Sequence, residues 1–112
     1  MCTRNQLQHI SQKMYADYRR VYGSDLQSVI LYGSYARGDY DDESDIDYTA
    51  IVKGDRLSLQ EKLKEIWRLS ADIGLENDVI ISPTVIPEDE YEKYGEILPY
   101  YQNIKKEGIR IE

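Results

Sequence analysis

The chain has 112 residues, 41% apolar and 31% charged, a balance that supports one folded domain over 1–112 and is too apolar for disorder. Fourteen basic against 21 acidic residues leave a net charge of −7, which argues against direct nucleic-acid binding through phosphate neutralisation; a nucleotide bound here needs a cation. Apolar runs are short, as in Val79-Ile80-Ile81, and Met1 to Ile10 has no continuous hydrophobic region, so neither a membrane span nor a secretory leader is expected. One cysteine, Cys2, and one histidine, His9, exclude an internal disulfide and a Cys/His zinc site, and both are expected to be peripheral in a cytoplasmic protein.

Leu7, Ile10, Met14, Tyr18 and Val21 recur at steps of three and four, which predicts a helix over 5–22 ending near Gly23. Ser28 to Tyr32 reads as a buried strand and Gly33 to Ser44 as a polar loop with a helical turn around Tyr35 to Arg37. Asp45 to Val52 reads as a second strand whose first residues alternate carboxylate with apolar. Ser58-Leu59-Gln60-Glu61 has the capping-box pattern, and Leu59, Leu63, Ile66, Trp67 and Ile73 are the expected buried stripe of a helix that Gly74 can stop.

Asp78 to Ser82, continuing to Ile86, reads as a third strand, with Pro83 favouring a sheet edge or a strand end and Pro87 closing it. One or two short helices follow over 88–106, split around Gly95 to Pro99, with Tyr91, Tyr94, Tyr101 and Ile104 as contacts, and Ile109 to Ile111 suggests an edge strand. The order predicts an α/β (α+β) domain with a small mixed sheet, helices mainly on one face and the acidic residues lining the other. Eleven tyrosines and no phenylalanine mean that buried rings need hydroxyl partners; Tyr100-Tyr101 beside Leu98 would also suit a partner interface.

The chemistry concentrates in Gly33-Ser34-Tyr35-Ala36-Arg37-Gly38, followed by Asp45-Ile46-Asp47. Carboxylates at i and i+2 of a strand share a face roughly 6–7 Å apart, given a rise of about 3.3 Å per residue. Their repulsion is relieved by divalent cations, and Mg²⁺ typically takes one or two protein carboxylates together with substrate phosphates. The Gly-Ser step frees backbone N–H groups at a strand end, where glycine lets a phosphate approach closely and serine adds a donor. Arg37 could reach phosphate oxygens or clamp the acidic loop.

A calcium loop starting at Asp39 or Asp41 puts Ser44 or Ile46 where glycine is needed, and Ala50 or Val52 where glutamate is needed. A Walker phosphate loop is excluded because Gly33 to Gly38 has no lysine. Asp42 and Glu43 fall outside the strand alternation and are expected to be solvated loop charges.

The constellation of Gly33, Ser34, Arg37, Gly38, Ser44, Asp45 and Asp47 resembles the DNA polymerase beta-like nucleotidyltransferase superfamily, and within it the minimal nucleotidyltransferase (MNT) domains. The resemblance covers 28–52 strongly and extends more loosely to about residue 86; the tail Leu98 to Ile104 is similar to many bacterial MNT proteins. It implies attack of a hydroxyl on the α-phosphate of ATP, with two Mg²⁺ ions, catalytic and metal-ligating Asp45, Asp47 and Asp78, and nucleotide-binding Gly33, Ser34 and Arg37. Asp78 is the position that best matches the family's third carboxylate, with Glu76 as its competitor.

The resemblance further implies an antitoxin that transfers AMP to a tyrosine of a helical HEPN toxin partner. The alternatives are a small-molecule nucleotidyltransferase of the aminoglycoside-modifying type, for which an added substrate domain would be expected, and a non-catalytic module that neutralises its partner by occupancy.

Overall fold

The computed structural model describes residues 3–111, and Cys2 lies outside them. Helix α1 (Arg4–Tyr22) opens at Thr3, whose hydroxyl accepts from the Gln6 N–H while the Gln6 side chain accepts from the Thr3 N–H. This satisfies two otherwise orphaned donors reciprocally. A 3-10 turn (Gly23–Asp25) leads into β1 (Leu26–Tyr32), and α2 (Ser34–Arg37) is the single helical turn expected in the loop. Then come β2 (Ile46–Val52), α3 (Arg56–Asn77), β3 (Ile81–Pro87), α4 (Glu88–Tyr94), α5 (Pro99–Glu107) and β4 (Ile109–Ile111).

The sheet order is β3-β2-β1-β4. β1 runs antiparallel to β2 and β4, whereas β2 and β3, joined by the α3 crossover, are parallel. Pro83 therefore lies in an edge strand, as its missing N–H requires.

Alternation along β2 sends Ile46, Tyr48, Ala50 and Val52 to one face, where Ile10, Met14 and Tyr18 of α1 and Leu59, Leu63, Ile66 and Ile73 of α3 complete the larger core. The tyrosines buried there find hydroxyl partners: Tyr18 donates to the Thr84 carbonyl (2.8 Å), Tyr22 to the Leu59 carbonyl (2.8 Å), and Tyr48 pairs with Ser11 (2.7 Å). On the opposite face Ile30, Ile51 and Ile86 pack with Tyr101 and Ile104 of α5 in a smaller cluster. The helical cover is thus two-sided but unequal: α1 and α3 take one face, and α4 and α5 cover part of the face that carries the acidic residues.

Helix α3 departs from its expected boundaries. Asp55 is the N-cap, its carboxylate accepting from the Ser58 N–H at 3.0 Å, so Ser58 lies inside the first turn and does not cap it. Trp67 is 49% exposed and not in the core; the buried stripe runs through Leu59, Leu63, Ile66, Ser70 and Ile73.

Gly74 does not stop the helix either. A Cβ there would sit 2.7 Å from the Val79 carbonyl oxygen, so this glycine serves close backbone packing. The helix ends instead at Asp78, in the left-handed region at φ 55. Asp can adopt that conformation because its short polar side chain tolerates it. The third strand consequently begins at Ile81 rather than at Asp78.

Candidate active site

Gly33 ends β1 with φ 75, and the turn of α2 follows at once, its Ala36 and Arg37 N–H groups donating to the Gly33 carbonyl (3.1 Å each). A Cβ at Gly33 would overlap Oδ2 of Asp47, so both the backbone conformation and the space require glycine. The β1/β2 register pairs Tyr32 with Asp47, and the β2/β3 register pairs Asp47 with Ser82.

The Gly33 bend and the Asp47 carboxylate are thereby brought together, as the sequence predicts. Asp45, exposed, precedes β2, whose start is tied to β3 by the Ile46 N–H donating to the Ile80 carbonyl at 2.9 Å.

The loop before Asp45 is organised by Asp41. Its carboxylate accepts from the Glu43 N–H (2.9 Å) and the Ser44 hydroxyl (3.2 Å), and Ser44 Oγ accepts from the Asp41 N–H (3.0 Å). Asp42 and Glu43 are exposed.

The Asp47 carboxyl is held above the ordinary aspartate range, first by burial and then by the negative charge of Asp45, with Arg37 opposing. Arg37 itself ion-pairs with Asp39 (3.1 Å) and with Glu107 at the end of α5 (3.3 Å), which raises its own pKa. The clamp on the acidic loop is therefore formed, and it extends to α5.

Asp78 stands apart from this pair, at the C-terminal end of α3, and among the described residues no three His, Cys, Asp or Glu side chains form a metal-holding group. Glu76, on α3, is ion-paired with Lys13 at 3.1 Å. His9 is exposed on α1, as expected.

Two side chains beside Asp47 escaped the sequence reading. Tyr32 is hydrogen-bonded through its hydroxyl to that of Tyr100 (2.9 Å), and the two rings meet edge-on at 5.8 Å. Burial pushes the Tyr32 hydroxyl well above the usual tyrosine range. Ser82, on β3, is the other. Tyr32 was reachable from the sequence, because it directly precedes Gly33 and an antiparallel hairpin sets it across from Asp47; Ser82 depends on a parallel register that no local signal encodes.

The donor set bears on the cation that the resemblance implies. Asp47 sets a hard carboxylate oxygen against a glycine bend that holds no side chain, and Asp45 brings a second carboxylate near it, which fits Mg²⁺ bound by two carboxylates and completed by substrate phosphates and water.

A mixed sheet with a Gly-Ser bend facing an Asp-x-Asp strand defines the class: a nucleotidyltransferase fold. The family comparison agrees, since the nucleotidyltransferase domain matches residues 17–111, and the chain belongs to that family. It is 44% identical over 77 residues to MJ0141 of Methanocaldococcus jannaschii, a candidate protein adenylyltransferase, covering 62% of this chain and 76% of that one. A second candidate protein adenylyltransferase of the same organism, MJ0604, is 32% identical over 87 residues, covering 78% and 79%.

Among solved structures, a toxin-antitoxin complex with AMP-PNP is similar at TM-score 0.54 and 18% identity, over 92% of this chain and 70% of that one. A candidate nucleotidyltransferase from Sulfolobus solfataricus is similar at TM-score 0.51 and 22% identity, over 91% and 78%. These structural likenesses show the shared fold.

Proposed function

We propose that this single domain is a Mg²⁺-dependent protein adenylyltransferase that moves AMP from ATP to a tyrosine hydroxyl of a helical HEPN-type toxin, and so acts as its cytoplasmic antitoxin. The observation that carries the chemistry is the approach of Asp47 to the Gly33 bend, with Asp45 close enough to raise its carboxyl. The curated relatives described as protein adenylyltransferases support a protein acceptor, and the similar complex with AMP-PNP, a toxin-antitoxin pair, supports the nucleotide and the partner class.

In this reading Gly33 and Ser34 orient the triphosphate, and Arg37, released from Asp39 or Glu107, meets its oxygens. The acceptor oxygen forms a bond to the α-phosphorus, the bond from that phosphorus to the α–β bridging oxygen breaks, pyrophosphate leaves, and the hydroxyl proton is given up to solvent. Asp45 and Asp47 would hold the cations, with Asp78 the position that the resemblance offers for the third carboxylate. When bound, Mg²⁺ would supply charge neutralisation at the phosphates and a lowered pKa of the acceptor hydroxyl.

The test is co-expression with the product of the adjacent gene, followed by incubation with α-labelled ATP and Mg²⁺. Label on a tyrosine of a co-purified helical protein is expected, with a loss on the order of 10³-fold in Asp47→Asn. Label on a drug-like hydroxyl alone, or neutralisation of the partner without ATP, would replace this reading with one of its two alternatives.

A further inference from the structure

A cavity of about 820 Å³ opens between the loop before β2 and the junction of α3 with β3. Its rim carries Asp42, Glu43 and Asp78, and Tyr35, Leu75 and Ile80 are among its apolar walls. None of the residues lining it is Lys, Arg or His. Leu75 is 84% exposed and Ile80 65% exposed, a concentration of large apolar surface at the lips of one groove.

Such surface is costly in water and marks an interaction site when rimmed by polar groups. The groove also borders the candidate active site directly: Ser44, in its wall, immediately precedes Asp45, and Ile80 accepts the hydrogen bond that anchors the start of β2.

We infer that this groove docks the acceptor protein through a basic amphipathic segment, apolar side chains lying against Leu75 and Ile80 and lysine or arginine side chains meeting the acidic rim at Asp42 and Glu43. The occupant follows from charge and shape. A nucleic acid or an acidic peptide would be repelled by this acidic rim and by the net charge of −7, whereas a small polar molecule would leave the lips uncovered. Docking there places a neighbouring hydroxyl of the same partner beside Asp45. This inference rests on the proposed protein acceptor and names the surface that selects it.

The probe is a fluorescent helical lysine–leucine peptide carrying one tyrosine, with a glutamate–leucine peptide as its charge-reversed counterpart, titrated by anisotropy against the full chain and against Glu43→Lys/Leu75→Gln. Both substitutions are at exposed positions outside the catalytic set, and unchanged Mg²⁺–ATP binding reports an intact fold. The lysine–leucine peptide is expected to bind roughly tenfold or more tightly than its counterpart, to weaken by about as much in the double variant, and to weaken with salt.

Equal affinity for both peptides, or binding unchanged in the double variant, would overturn the docking surface. Label transfer from α-labelled ATP, read in the same samples, separates the two ideas: docking without transfer keeps the groove and removes the activity, while transfer indifferent to Glu43 and Leu75 keeps the activity and removes the groove.

Discussion

The two faces of the sheet are built from the same strand and differ in almost everything else. Toward α1 and α3, β2 presents Ile46, Tyr48, Ala50 and Val52 to a closed core in which Tyr18, Tyr22 and Tyr48 each have a hydroxyl partner. Toward α4 and α5 it presents Asp47, Thr49 and Ile51. There the cluster is smaller, Asp47 is a half-buried carboxyl beside another charge, and the Thr49 hydroxyl, fully buried, has no hydrogen-bond partner among the described residues.

Placing stability on one side lets the other tolerate charge repulsion, which a site for a cation and phosphates would relieve. Such local violations of packing rules concentrate at functional sites.

The comparison predicts unequal losses on truncating two almost fully buried isoleucines. Ile66→Ala, in the larger core, is expected to cost about 3–4 kcal/mol, and Ile104→Ala, where fewer neighbours surround the gap and can collapse into it, about 2 kcal/mol, by denaturant titration. Equal losses would mean that the two faces bear load alike. Thr49→Val keeps the shape and removes the orphaned hydroxyl, so it should stabilise by about 1 kcal/mol, whereas a loss would reveal a partner for that group.

The smallest effect is at Asp47. Its folded pKa is raised, so the folded state binds the proton more tightly than the unfolded chain, and stability falls as pH rises from the unfolded to the folded pKa. Without Mg²⁺, Asp47→Asn should therefore melt slightly above the parent at neutral pH, and the gap should close as pH drops through that window.

How legible the two faces were differs as well. The stripe Ile10, Met14, Tyr18 and the alternation Asp45-Ile46-Asp47 stood in the sequence because helix and strand periodicities are local, and so did the edge position of Pro83 and the short terminal strand. What was missed turned on contacts between distant segments. Gly74 reads as a stop until the Val79 carbonyl is seen against it, and Ser58-x-x-Glu61 outcompetes Asp55 as a capping signal only on paper.

In the site, the Gly33–Asp47 approach was legible because the Gly-Ser step and the Asp-x-Asp step sit at the ends of consecutive strands and the family resemblance pairs them. The pairing of Asp47 with Ser82, and the position of Asp78 at a helix end, depend on the α3 crossover and its parallel register.

The central claim is that Asp45 and Asp47 hold Mg²⁺ together with the triphosphate at the Gly33 bend. Titration calorimetry of ATP, with and without Mg²⁺, into the parent chain and into Asp47→Asn tests it most directly. Binding that requires Mg²⁺ in the parent and is lost in Asp47→Asn is the predicted result; ATP binding of equal strength in both proteins, with or without the cation, would contradict it.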